Sequence, residues 1–210
     1  MSPTAVTAMP VRLFASIGYY YRMAQHHSVV VDTDMPFDKR CKAVHRYEIA
    51  DAQGVSQLTV PINRPHSGSP TERPLWHQAT VSRHGQWWRL HRTALESAYG
   101  RTPFFEFIID KFDTVLCDPA EPQAADNVVE LAQRADEIVR SILLIDSKVE
   151  WRPLTEADYV ATDLRRTDFA LADTMPYWQV RQSKHGFLPN LSILDLIFNL
   201  GPEAALYIRH

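Results

Sequence analysis

The segment from Val11 to Asp32 constrains the fold more than any other. Residues 11–15 (VRLFA) form a short apolar run suited to a buried strand, and 16–18 (SIG) open a turn. Residues 19–25 read as a helix of apolar and aromatic residues, and 28–32 (SVVVD) as a β-branched second strand. Strand, short helix, strand is the outline of a βαβ crossover, which makes the two strands parallel. It places Asp32 and Asp34 at the carboxyl end of the second strand, the edge where open α/β sheets gather ligands.

Residues 46–50 alternate polar and apolar, 51–54 (DAQG) turn, and 58–62 (LTVPI) return, which reads as a hairpin. Pro61 confines its second strand to an edge or an end. Residues 63–74, rich in Pro, Ser and charge, predict an exposed irregular loop of lid length. From Trp87 the chain turns helical: Trp88, His91, Leu95 and Tyr99 share one face, and Gly100 fits a stop. Pro103 opens the next apolar segment, FFEFIIDKF. The spacing over 127–145 predicts one amphipathic helix with Leu131, Ala135, Ile138 and Ile142 facing the core. A last helix is expected over 191–200, capped by Asn190 and ended by Gly201. The expected architecture is a single α/β domain over 1–210. N-terminal βαβ-like and hairpin strands form a small sheet, and the C-terminal half is mainly helical.

A chain of 210 residues buries most of its apolar surface without covalent staples. Its net charge of -3 gives no general drive toward nucleic acid or anionic lipid, so neither is an expected partner. Any anion site must come from a local cluster. Cys41 and Cys117 form neither a metal-ligand spacing nor a disulfide framework and read as free thiols of a reducing compartment. The N-terminus lacks the basic start and long apolar core of a signal peptide, and no run reaches 18 apolar residues. A cytoplasmic protein with no inserted segment is expected. The oligomeric state stays open.

The densest polar cluster is FDKRCKAVHRYEI, with Lys39, Arg40, Lys42, His45 and Arg46 between two strands. Arginine forks and lysine ammonium groups suit phosphate or carboxylate, and a solvated basic loop is the plain alternative. His91, beside Trp88 on its helix, suits a general base or ligand-orienting donor, or else a structural histidine bonded to backbone. No histidine pair accompanies it, so a zinc site is not expected. Cys41 lies among cations that favour a thiolate, although isolated cysteines are usually small core residues. Asp32 and Asp34 suit a metal or ribose, or turn chemistry. Asp195 complements a helix dipole or serves chemistry. Walker A, GxGxxG, GxSxG and HExxH motifs are absent, and seven glycines leave no glycine-rich phosphate cradle. No cofactor follows from these residues.

Several segments together resemble the WbqC-like family: GYYYRMAQ and VVVDTD, KRC…HRYEI, LTVPI, WRLHRTALESAYGRTPFFE, and the tail HGFLPNLSILDLIFNLGP. Many members carry a His-Gln-Pro turn where this chain reads LFASIGYYY, and an Asn-Arg pair where it has His45-Arg46. The resemblance implies a role in O-antigen or other surface polysaccharide biosynthesis, by association rather than physical deduction. It points to a small-molecule transferase acting on an activated anionic sugar or acyl-type donor. Lys39, Arg40 and Arg46 would hold the anion, with His45 and Trp88 in the site. His91 would act as base or orienter, Tyr99 would shape the pocket, and Asp32 would join the chemistry. On this reading Arg46 and His91 approach one cavity. The alternative is a non-catalytic binding or scaffold protein of the same pathway.

Overall fold

The computed structural model describes residues 5–66, 73–171 and 175–209. Its first strand, β1 (Ala5–Pro10), precedes the apolar run 11–15 that the sequence suggested as the strand. Pro10 cannot donate to a ladder and ends the strand. The run behind it is buried as a turn, with Phe14 in the left-handed region at φ 42. Its apolarity thus reflects a loop pressed into the core. Helix α1 (Ile17–Ala24) crosses to β2 (Ser28–Asp32), and the two strands are parallel, Thr7 opposite Val29 and Pro10 opposite Asp32.

β3 (Arg46–Asp51) and β4 (Gly54–Thr59) form an antiparallel hairpin, turned at Gly54, whose φ of 118 suits glycine. β4 covers the start of the expected 58–62 strand but ends at Thr59, because Pro61 interrupts it. Beyond the proline, β5 (Ile62–Asn63) pairs with β6 (Thr80–Val81) instead. Of the expected 63–74 loop, 67–72 lie outside the described residues; Arg64, His66 and Arg73 on its flanks are exposed and irregular.

Helices α2 (Trp87–Tyr99), α3 (Phe105–Ile108) and α4 (Val128–Leu143) follow. The Asn127 side chain caps α4, accepting from Val129 N and Glu130 N at 3.0 Å each. The buried face of α4 is Leu131, Ala132, Ala135, Val139 and Leu143; Ile138 and Ile142 are half-buried at its edge rather than in the core. Asp136 is buried instead, accepting from Arg140 Nε at 2.7 Å and Trp151 Nε1 at 3.1 Å. Pairing through Oδ2 offsets part of the cost of burying that charge.

β7 (Lys148–Arg152) and β8 (Tyr159–Asp163) complete a parallel sheet of order β7-β2-β1-β8. The second half of the chain therefore supplies both edges of the main sheet. Because β7 and β8 run the same way at opposite edges, the link 153–158 must recross the sheet. Arg152 grips Asp158 at 2.7 and 2.8 Å across that link. After α5 (Gln182–His185) come α6 (Ile193–Leu200) and α7 (Ala204–Arg209). α6 is apolar nearly all round and almost wholly buried, as a central core helix must be. Ser192 Oγ caps it at Leu194 N, in the place expected of Asn190, and Gly201 ends it at φ 54. Among the described residues no helix is long and apolar enough to cross a membrane.

Candidate functional site

The strand order decides where a ligand fits. The chain leaves β1 toward β2 on one side, while β8 lies against the other side of β1. Such a divergence opens a crevice at the carboxyl ends of the two strands. A cleft of about 520 Å³ lies there. One wall is the turn 12–16 after β1, leading into α1; another is the 164–169 segment after β8; the third is the hairpin, with Arg46, Tyr47 and Glu48 from β3 and Gln57 from β4.

The walls are tied by bonds between distant segments. Ser192 Oγ donates to Phe14 O at 2.9 Å, Ile193 N to Ala15 O at 2.8 Å, and Ile17 N to Leu191 O at 3.0 Å. Asn190 Oδ1 accepts from Gly18 N at 2.9 Å and so caps α1 in place of Ser16, whose side chain makes no capping bond. Gly18 is needed for close approach: a Cβ there would stand 1.9 Å from Phe169 O. Arg165 reaches Asp32 Oδ2 at 2.8 Å and Asp163 Oδ2 at 2.8 Å, fixing the segment that carries Arg166.

Four cations line the cleft: Arg12, Lys42, Arg46 and Arg166. None has a carboxylate partner among the described residues, whereas Arg83, Arg92, Arg134, Arg140, Arg152 and Arg165 all do. Arg12 Nη1 donates to Cys41 Sγ at 3.1 Å, and Arg46 Nη1 to Gln57 Oε1 at 3.1 Å. Arg46 Nε is buried with no partner among the described residues. Buried donors are normally satisfied, so an orphaned guanidinium nitrogen at a cleft marks a place for an acceptor.

A family model described as the WbqC-like protein family matches residues 12–167. The chain belongs to the WbqC-like family. No curated protein and no solved structure matches it. The WbqC-like match takes in all four cleft cations. Asp168, Phe169, Asn190 and Ser192, which close the cleft, come from beyond it, as does the HGFLPNLSILDLIFNLGP tail.

Of the residues singled out in this WbqC-like sequence, Arg46 lines the cleft and His91 does not. His91 is buried behind Tyr47: its Nε2 meets Thr59 O at 3.2 Å and its Nδ1 meets Tyr47 Oη at 3.0 Å. A carbonyl only accepts, so Nε2 carries the proton and the Tyr47 hydroxyl donates to Nδ1. Burial pulls the His91 pKa down to about 4, so the ring is neutral near pH 7. Tyr99 is a core residue whose hydroxyl accepts from Ala50 N at 3.0 Å. Asp32 pairs with Arg165 and stands outside the cleft. Lys39 and Arg40 face solvent, Arg40 on Asp38. His45 is buried with Nδ1 on Val60 O at 2.9 Å. Trp88 packs edge-on against Trp87 and borders a separate surface depression beside Cys117 and Asp118. Both cysteines are free. Among the described residues, no group of three or more His, Cys, Asp or Glu is placed to hold a metal ion.

Four cleft residues carry charge that sequence reading did not single out: Arg12, Glu48, Arg166 and Asp168. Arg12 carried no signal of this, because the sequence placed it inside the apolar run 11–15 and not past the end of a strand. For Arg166 the signal was the alternation in YVATD, which marks a strand with its carboxyl end one turn before the arginine.

Proposed function

We propose that this WbqC-like protein binds a small anionic donor in the cleft at the β1/β8 divergence and transfers a group from it in surface polysaccharide assembly. The donor is an activated sugar or acyl-type molecule bearing phosphate or carboxylate. The observation that carries the reading is the set of four cleft cations without carboxylate partners among the described residues, one with a buried nitrogen lacking any acceptor there. Guanidinium forks bind such oxyanions bidentately, and a volume of about 520 Å³ falls within the range of roughly 300–1,000 Å³ typical of small-molecule sites. Arg46 anchors the anion, Lys42, Arg12 and Arg166 surround it, and His91 acts through Tyr47 by holding its ring in place.

A second reading, a binding protein without turnover, draws support from the cleft's composition: among the described residues its lining holds no histidine and no cysteine to move a proton or attack a donor. Calorimetric titration with nucleotide sugars and acyl-carrier thioesters tests the shared premise. Saturable binding that weakens with added salt and with Arg46→Ala is expected. Binding unaffected by Arg46→Ala would move the site elsewhere. Product formation with a bound donor and a glycan acceptor separates transferase from carrier.

A further inference from the structure

The cleft is not simply basic. Glu48 and Asp168 also line it, and neither joins an ion pair among the described residues. Glu48 has no side-chain partner among the described residues; Asp168 Oδ1 accepts only from Ala170 N, at 3.3 Å. Charges of both signs therefore share one cavity without neutralising each other, in a protein that pairs most of its other arginines. The backbone keeps them apart. Arg46 and Glu48 stand two residues apart on one face of β3, and Arg46 turns to Gln57 on β4. Arg166 and Asp168 stand two apart on the segment after β8. Two of the three walls, the hairpin and the 164–169 segment, thus each present a cation and a carboxylate.

A purely anionic ligand would meet the four cations but also crowd two uncompensated carboxylates. A ligand with an ammonium group at a distance from its anion satisfies both sets. We infer that the ligand of this cleft is a zwitterion, a phosphate or carboxylate at one end and a primary ammonium at the other, with a phosphorylated amino sugar as the form that suits the cavity. This rests on the anion-binding reading above and adds the second charge. Arg46, Lys42 and their neighbours hold the oxyanion; Glu48 and Asp168 hold the ammonium.

The test is titration calorimetry at pH 7 with glucosamine 6-phosphate, glucose 6-phosphate, N-acetylglucosamine 6-phosphate and serine. Glucosamine 6-phosphate should bind at least about fivefold more tightly than the two sugar phosphates that lack the charged amine, the worth of one partly screened ion pair. In the Glu48→Gln/Asp168→Asn double variant that margin should vanish, while glucose 6-phosphate binds as well as before or better. Both side chains are exposed, and an unchanged melting temperature confirms the fold. Serine binding in place of the sugar phosphates supports the zwitterion and assigns it to an amino acid. Equal affinity for the three sugar phosphates overturns the inference and leaves anion binding standing; a margin that survives in the double variant overturns the role of Glu48 and Asp168. If none of the four compounds binds, the anion-binding reading falls and this inference with it.

Discussion

Tyr47 donates its hydroxyl proton to Nδ1 of His91 at 3.0 Å, and this bond keeps the histidine one layer behind the cleft that Tyr47 lines. Burial holds the ring neutral, and the neutral ring is the form that can accept from Tyr47 while donating to Thr59.

A pH dependence of stability follows. The folded pKa of His91 is about 4, below its ordinary value of 6.5. Between those values the unfolded chain binds the proton and the folded chain does not, so stability is complete above pH 6.5 and falls as pH drops toward 4. The loss should reach up to about 3 kcal/mol at 1.36 kcal/mol per pKa unit. Urea unfolding of the wild type and His91→Gln from pH 4 to 8 checks this. The difference between the two curves should change across that window and be flat above it.

Arg46→Ala should weaken an anionic ligand by about 1.5–3 kcal/mol, the usual worth of a charge-assisted hydrogen bond. Stability should change little, because Arg46 bonds only Gln57 and lies half-exposed. Calorimetry beside thermal unfolding distinguishes this from a folding defect, and a parallel loss of both would count against a binding role.

Gly18→Ala should destabilise the protein by about 1–3 kcal/mol, the range for overpacking. The added methyl meets a backbone carbonyl, Phe169 O, which cannot swing aside as a flexible side-chain tip would. The 164–169 segment must then move, so ligand affinity should fall together with the denaturant midpoint.

Asp32→Ala removes a buried carboxylate and leaves Arg165, itself about a third exposed, paired with Asp163 alone, for a cost of about 1–3 kcal/mol after allowance for solvent screening. Asp32 does not line the cleft, so affinity should fall less than in Arg46→Ala. Titration of the two variants side by side gives the ranking.

The parts legible in sequence were those with local periodicity. The β-branched run at 28–32 and the stripe along α4 needed nothing outside themselves. β1 was missed because Ala5, Ala8 and Pro10 have little strand propensity, and the louder run 11–15 stood next to it. Of the basic cluster around Cys41, Lys42 and Arg46 reach the cleft while Lys39 and Arg40 face solvent. A charge run does not say which of its members the backbone turns inward. Arg12 and Arg166 are loop arginines far apart in the sequence. They meet only because β8 returns beside β1, a pairing over more than a hundred and fifty residues that no local pattern encodes.

The bonds from Asn190 to Gly18 and from Ser192 to Phe14 span 172 and 178 residues. Contacts of such separation form late, since the chain must close a very long loop before they contribute. During synthesis from the amino terminus, Arg12, Lys42, Arg46 and Arg166 all emerge from the ribosome before the segment that seats α1 and closes their cavity. A nascent chain that stops short of Asn190 therefore carries the charges of the cleft without its shape. The cavity takes its shape only once residues 190–192 have been made.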